Sequence, residues 1–212
     1  MCRLFAIRHP EKISMTSYLE QFARIAQQSP EYQGHGWGIA YRVDGQEWAH
    51  DKNINPIWED DMRRFPPTDM LIAHARSAFR DEGIVVENNM PFYDDDSIFV
   101  FNGELQGVRI REEGRIGAEK IFNFIKRFNR QGDLGAALQK GTEQLHKRTR
   151  YVRAMNIIMT DKERFYVSSS YAERPDYFQM VVKEGRSVII CSDPFPGESG
   201  WHPIPNHSLN IF

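Results

Sequence analysis

Cys2 is the residue whose type and position first suggest chemistry. If the methionine before it is removed, which a small second residue permits, Cys2 carries a thiol and a free α-amine. The reference pKa is about 8.5 for a thiol and about 8 for an α-amine, so the neutral amine can accept the thiol proton near neutral pH. The pair predicts a nucleophile that carries its own base. An ordinary buried cysteine is the alternative, and position 2 alone does not decide between them.

Two other candidates lie where apolar runs end. The first run ends at Arg76 and the second at Asn102-Gly103. An arginine at a strand end either binds an anionic ligand or forms an ion pair, and Asn-Gly is a common turn. Both positions therefore admit a structural role beside a functional one. His74, in the first run, is interpreted as a structural histidine rather than a second base.

The composition is that of a protein with a large buried core. The 212 residues are 41% hydrophobic and 12% aromatic, which suits one domain over residues 1–212. Two cysteines, Cys2 and Cys191, are too few for a disulfide framework, and charges such as Arg3 and Arg8 interrupt any secretory leader, so a cytoplasmic protein is expected. The net charge of −2 is spread without a basic stripe, and no apolar run approaches a membrane span. Neither nucleic acid nor a membrane is an expected partner.

The pattern along the chain predicts an α+β fold. Short apolar runs between turn residues predict strands over 3–7, 70–76, 97–101, 154–160, 164–169, 179–183 and 187–192, and a glycine-rich entry into another over 34–41. Apolar residues at helical spacing predict helices over 17–28, 117–128 and 134–145. The first helix would begin with a capping box at Ser17 and Glu20, and Asp44-Gly45 would turn the chain between strands. Strands at both ends with helices between them predict antiparallel sheets covered by helices.

Five motifs occur in the order and spacing of one family. They are Cys2 before a strand, Gly36-Trp37-Gly38-Ile39-Ala40-Tyr41, His74-Ala75-Arg76, Asn89-x-Pro91-Phe92 and Phe99-Val100-Phe101-Asn102-Gly103-Glu104-Leu105. The chain resembles the class II glutamine amidotransferases over essentially its whole length, and most of all their short free-standing members, some of which hydrolyse γ-glutamyl compounds. The resemblance implies the N-terminal nucleophile hydrolase fold, a four-layer αββα sandwich of two antiparallel sheets covered by helices.

The resemblance also implies roles for single residues. Cys2, after removal of the methionine, would be the nucleophile, with its own α-amine as general base. The side-chain amide of Asn102 and the backbone N–H of Gly103 would form the oxyanion hole, in which one donor stabilises the transition state by about 3 kcal/mol. Arg76 would bind the α-carboxylate of the substrate through a bidentate fork.

Three departures from the family pattern concern substrate recognition. Gly117 stands where the family usually has an acidic residue for the substrate's α-ammonium group. Phe79 replaces a common threonine three residues after Arg76, and Phe101 replaces the histidine of several free-standing relatives. We therefore expect a more apolar substrate pocket, with Phe79 and Gly117 at substrate-binding positions.

Two functions from different classes follow from these residues. The first is an amidohydrolase that cleaves a glutamine or γ-glutamyl amide through a thioester at Cys2 and releases ammonia or an amine. The second is a catalytically weak or inactive relative that binds a metabolite or regulates a separate synthase. Because the motifs occupy the chain, a site that accepts ammonia would belong to a separate synthase subunit. No cofactor and no metal are expected, since His202 and His207 are a poor ligand pair.

Overall fold

The computed structural model describes residues 1–44, 47–129 and 132–212, without the side chain of Asp81. The chain divides into two compact units. The first comprises Met1–Pro91 and Met180–Pro203, and the second comprises Phe92–Gln179 and Ile204–Phe212.

In the described part of the first unit, seven strands form an antiparallel sheet. They are β1 (Arg3–Ile13), β2 (Trp37–Arg42), β3 (Trp48–Asn53), β4 (Thr68–Ala75), β9 (Val181–Glu184), β10 (Val188–Cys191) and β11 (His202–Pro203). Their order in the sheet is β11-β9-β10-β1-β4-β2-β3. The central strand β1 thus lies between β10 and β4, so the residue just before β1 is held by the middle of the sheet.

Helix α1 (Thr16–Gln27) packs on this sheet through its apolar stripe. Phe22 of α1 stacks on Phe5 of β1 with ring centroids 5.3 Å apart, and both side chains are fully buried. Burial of one such side chain contributes roughly 1.5–3 kcal/mol. Short 3-10 turns complete the unit at Ile57–Glu59, Met62–Arg64, Phe79–Asp81 and Val86–Asn88.

The second unit contains the other sheet. Its described strands are β5 (Phe92–Tyr93), β6 (Ile98–Val108), β7 (Thr149–Thr160), β8 (Phe165–Ser169) and β12 (Ser208–Ile211), in the order β12-β8-β7-β6-β5. The helices are α2 (Gly117–Lys126), α3 (Leu134–Lys147) and α4 (Pro175–Phe178). Phe122 of α2 stacks on Phe99 of β6 at 5.2 Å, which packs the helix on the sheet.

The structure confirms the α+β class and the two antiparallel sheets, and it corrects two local predictions. The capping box is wrong, because α1 already begins at Thr16 and no side chain caps it. The predicted strand end at Asn102-Gly103 is also wrong, because both residues pair with β7 and β6 continues to Val108. Of the predicted turn at Asp44-Gly45, Gly45 lies outside the described residues.

Candidate active site

Cys2 lies immediately before β1, and its thiol is enclosed in the first unit. The Sγ atom donates a hydrogen bond to the carbonyl oxygen of Ser77 at 3.6 Å, and no described side chain bonds to the sulfur. Burial raises the pKa of the Cys2 thiol above its ordinary value, and the nearby positive charges of the chain's α-ammonium group and Arg76 offset this only in part. The thiol is therefore protonated at neutral pH and needs a base before it can attack.

Two side chains hold the peptide bond between Met1 and Cys2. Gln33 is fully buried, and its Nε2 donates a hydrogen bond to the Met1 carbonyl oxygen at 2.6 Å. The Met1 α-ammonium group pairs with the carboxylate of Glu31. These contacts surround the bond whose cleavage would expose the α-amine of Cys2.

Arg76 follows β4 directly and is only 5% exposed. Its Nη2 donates to the carbonyl oxygen of Gly83 at 2.8 Å, and its Nη1 donates to Asn89 Oδ1 at 3.3 Å and to the carbonyl oxygen of Val85 at 3.5 Å. No carboxylate among the described side chains pairs with it, so an ion pair does not account for its position. Burial lowers the pKa of Arg76, although the group stays charged. A buried guanidinium whose described hydrogen-bond partners are all neutral oxygens suits an anionic ligand.

The glycine-rich entry to β2 lies against the loop that holds Arg76. A Cβ atom at Gly36, where φ is +102°, would lie 2.2 Å from Asn89 Nδ2, and one at Gly38 would lie 2.4 Å from the Met90 carbonyl oxygen. The backbone N–H of Arg76 also donates to the Gly36 carbonyl oxygen at 2.9 Å. The backbone therefore approaches its neighbours closely here, which positions Asn89 beside the Arg76 guanidinium.

Phe79 lies three residues after Arg76, in a 3-10 turn, and its side chain is 63% exposed. The guanidinium of Arg80 lies over its ring, 5.1 Å from the centroid. The structure thus gives an exposed aromatic ring close in the chain to the nucleophile's contact at Ser77.

Asn102 lies within β6, directly opposite Asn156 of β7. The residue is 1% exposed, and its Oδ1 is enclosed without a hydrogen-bond partner among the described residues. A buried polar group without a partner costs about 1–3 kcal/mol. Such a group in a native protein requires an explanation, and a bound ligand that donates a hydrogen bond to Oδ1 is one.

Gly103 has a structural reason to be glycine. A Cβ atom there would lie 2.2 Å from the carbonyl oxygen of Ala154 and 2.7 Å from the ring of Phe101. The missing side chain lets β6 approach β7 at this point. This reason for glycine is independent of any hydrogen bond that the Gly103 N–H donates to a substrate.

Gly117 is the first residue of α2 and is exposed. No atom lies within 4 Å of the place that its Cβ would occupy. The carboxylate of Glu119, two residues on, accepts hydrogen bonds from Arg115 at 2.6 Å from both the backbone nitrogen and Nη2. The position therefore has room for the acidic side chain that this chain lacks.

Cys191 differs sharply from Cys2. It is fully buried in β10, and burial raises the pKa of its thiol to about 12. The raised pKa makes this thiol chemically inert.

The described ranges hold neither a cluster of metal ligands nor a helix that could span a membrane. They contain no group of three or more His, Cys, Asp or Glu side chains that could hold a metal ion, and His202 and His207 belong to different units. Among the helices of those ranges, none has both the length and the apolar character needed to cross a membrane.

The candidate residues are divided between the units. Cys2, Arg76 and Phe79 belong to the first, where Ser77 links the thiol to the arginine segment; Asn102, Gly103 and Gly117 belong to the second. Sequence patterns missed the carbonyl oxygens of Gly83 and Val85 on Arg76, because backbone acceptors leave no signal in residue types. They also missed Gln33, since a polar residue outside any periodic pattern reads as a loop residue.

Comparison with solved structures gives similarity over nearly the whole chain. A glutamine aminotransferase class-II domain protein from Silicibacter pomeroyi matches with a TM-score of 0.68 at 14% identity, over 99% of this chain and 94% of its own. A predicted glutamine amidotransferase from Pseudomonas aeruginosa matches with a TM-score of 0.61 at 16% identity, over 100% and 97%. The chain has the fold of the class II glutamine amidotransferases.

A larger enzyme shares this amidotransferase fold. The glutamine phosphoribosylpyrophosphate amidotransferase from B. subtilis matches with a TM-score of 0.62 at 16% identity, over 90% of this chain and 42% of its own, so the chain spans less than half of that enzyme. The likeness confirms the N-terminal nucleophile hydrolase fold that the five motifs implied. Neither the comparison with family models nor that with curated proteins gave a match.

Proposed function

We propose that this chain is a single type-2 glutamine amidotransferase domain that hydrolyses a glutamine or γ-glutamyl amide. The observation that carries the proposal is the pair formed by Cys2 and Arg76. The Cys2 thiol, at the start of the central strand, contacts Ser77. The residue before Ser77 is Arg76, whose buried guanidinium has no described carboxylate partner. The pair offers a nucleophile and an anion-binding group, which a glutamyl substrate requires.

The proposed reaction begins after Met1 has been removed. The neutral α-amine of Cys2 accepts the thiol proton, and the sulfur attacks the carbonyl carbon of the amide. Asn102 and Gly103 would donate hydrogen bonds to the oxyanion. The C–N bond then breaks, the leaving ammonia or amine takes the proton, and a γ-glutamyl thioester remains. Water adds to the thioester, the C–S bond breaks, and the γ-carboxylate and the thiol are regenerated.

Arg76 would bind the α-carboxylate of the substrate. The carboxylate would either replace the carbonyl oxygens that now accept from Arg76 or bind beside them. With no acid at Gly117, the α-ammonium group of free glutamine loses a charge-assisted hydrogen bond of roughly 1.5–3 kcal/mol, which weakens binding about tenfold or more. A γ-glutamyl compound is therefore the better substrate. If released ammonia serves biosynthesis, a synthase in the cytoplasm would be the partner that accepts it.

A non-catalytic regulatory subunit is the second candidate. The observation that favours it is the hold on Met1, whose carbonyl oxygen accepts from buried Gln33 and whose α-ammonium group pairs with Glu31. A methionine that stays in place would keep the Cys2 nitrogen in a peptide bond and remove the base.

The proposal is tested by measuring glutamate release from a γ-glutamyl amide and from glutamine. The wild-type protein should hydrolyse the γ-glutamyl amide, Cys2→Ala should not, and Cys191→Ala should retain the activity because that thiol is buried away from the chemistry. Circular dichroism checks that both variants fold. Comparable turnover by Cys2→Ala would rule out the thioester route.

A further inference from the structure

Phe79 and Arg80 form an exposed pair of an aromatic ring and a cation in the first unit. Phe79 is 63% exposed, which is more than any other exposed large hydrophobic residue of the described chain. The Arg80 guanidinium lies 5.1 Å from its ring centroid, and no described carboxylate pairs with that guanidinium. The surface here thus offers an apolar face and a positive charge side by side.

The backbone at Arg80 is strained. Its φ of 54° and ψ of 25° fall in the left-handed region, which is unfavourable for a residue other than glycine. Gly83, three residues later, has the same left-handed conformation with a φ of +61°, and a glycine adopts it without strain. Residues with such a backbone cluster at functional sites, and Arg80 is one of four described non-glycine residues with a positive φ.

Both ends of the short segment that carries this pair are fixed at the candidate site. On one side, the carbonyl oxygen of Ser77 accepts the hydrogen bond from the Cys2 thiol. On the other side, the carbonyl oxygens of Gly83 and Val85 accept from Arg76. The residues from Ala78 to Glu82 therefore lie between the contact to the nucleophile and the contacts to the anion-binding arginine.

We propose that Phe79 and Arg80 bind the leaving half of the substrate, and that the substrate is a γ-glutamyl dipeptide whose second residue has a large apolar side chain and a free carboxylate. Phe79 packs against the apolar side chain, and Arg80 pairs with the carboxylate. This inference rests on the proposed function, in which Arg76 holds the other carboxylate. One water is consumed, the amide C–N bond breaks, and glutamate and a free amino acid are the products.

Ammonia and simple amines use this surface less well than an amino acid does. Ammonia offers neither an apolar group nor an anion, and an aromatic amine offers only the ring. Ile84 and Val85, which are 38% and 47% exposed, extend the apolar character of the same segment. The surface therefore favours a leaving group that combines both features.

Four substrates separate the two features. γ-Glutamyl-phenylalanine has ring and carboxylate, γ-glutamyl-phenethylamine has only the ring, γ-glutamyl-alanine has only the carboxylate, and glutamine has neither. For the wild-type protein we expect kcat/KM for γ-glutamyl-phenylalanine to exceed that for γ-glutamyl-alanine about tenfold, as apolar discrimination commonly does. We expect kcat/KM for γ-glutamyl-phenylalanine to exceed kcat/KM for γ-glutamyl-phenethylamine about fivefold. This ratio is smaller because solvent partly screens an exposed charge pair.

Three variants assign each preference to its residue. Phe79→Ala should remove the preference for phenylalanine over alanine. Arg80→Asn, which tolerates the left-handed backbone, should remove the preference for the carboxylate, and Arg80→Lys should restore part of it. Both losses should appear mainly in KM. The matched control is Arg111→Gln, because Arg111 is an exposed arginine of the second unit. This substitution should change each ratio of kcat/KM values by no more than about twofold.

A binding measurement separates this inference from the proposed function. In Cys2→Ala protein, calorimetry should show tighter binding of γ-glutamyl-phenylalanine than of γ-glutamyl-alanine, and Phe79→Ala in that background should abolish the difference. Selective binding without any turnover by the wild-type protein would refute the proposed function and support the binding surface. Turnover with equal kcat/KM for all four substrates, unchanged by the Phe79 and Arg80 variants, would overturn the inference alone.

Discussion

Asn102 and Asn156 lie directly opposite each other on β6 and β7, and both are buried, but their amide oxygens differ in hydrogen bonding. Asn156 Nδ2 donates to the carbonyl oxygen of Phe178 at 2.6 Å, and its Oδ1 accepts from Ser169 Oγ at 3.2 Å. The Oδ1 of Asn102 has no described partner. We therefore expect the Asn156 amide to be structural and the Asn102 amide to be available to a ligand.

The pair predicts opposite effects on stability and activity. Asn156→Leu should lower the free energy of unfolding by about 1–3 kcal/mol, because it leaves the partners of the amide unsatisfied. Asn102→Leu should leave stability unchanged or raise it, while hydrolysis falls by about 10²–10³-fold through loss of an oxyanion donor. Chemical denaturation and kcat measured on both variants check this. A large loss of stability in Asn102→Leu would show that its amide is structural.

The two thiols should differ in reactivity. A diazoketone analogue of glutamine should label Cys2 and not Cys191. In protein that retains Met1, burial raises the pKa of the Cys2 thiol, so labelling by a simple alkylating agent should be slow at pH 7. It should rise with pH beyond the ordinary thiol pKa of about 8.5. Cys191, with a pKa of about 12, should stay unlabelled across that range. Peptide mass mapping identifies the labelled cysteine. Labelling of Cys191 in folded protein would contradict the assignment of Cys2 as the reactive thiol.

Gly36→Ala should disturb the arginine site. Its Cβ would lie 2.2 Å from Asn89 Nδ2, and Asn89 is a partner of Arg76. We expect stability to fall by about 1–3 kcal/mol and KM to rise. Gly197→Ala is the matched control, because its φ is +77° but its Cβ would meet no atom within 4 Å. Equal effects of the two substitutions on KM would show that the backbone conformation, and not the contact with Asn89, is what matters.

Gly117→Asp should improve the hydrolysis of free glutamine. The position is open, and an acid in the first turn of α2 also complements the helix dipole by about 0.3–1 kcal/mol. An added partner for the α-ammonium group should lower KM for glutamine about tenfold. Gly117→Asn tests whether the charge is needed. Efficient hydrolysis of glutamine by the unmodified protein would show that another group already binds the ammonium.

Much of the fold followed from apolar patterns, because the core strands and helices α2 and α3 bury regular stripes. The patterns failed where tertiary pairing overrides local preference. Asn102-Gly103 favours a turn, yet β7 continues the strand through it, since Gly103 admits the Ala154 carbonyl oxygen. β1 likewise runs past Ile7 to Ile13 through polar residues.

The site was predictable only as residue types in sequence order. Cys2 and Arg76 were found because thiols and guanidinium groups have distinctive chemistry. The acceptors of Arg76 at Gly83 and Val85 are backbone atoms, and the strained backbone at Arg80 depends on loop closure. Neither the backbone acceptors nor the strained backbone can be predicted from residue types.

The central claim is that Cys2 becomes the N-terminal residue and forms a thioester. Intact-mass measurement of the purified protein, followed by rapid acid quenching with a γ-glutamyl amide, tests it most directly. The account predicts a chain that lacks Met1 and a transient γ-glutamyl adduct on Cys2 that hydroxylamine removes. A chain that retains Met1 quantitatively when made in its native host, with no adduct, would contradict it.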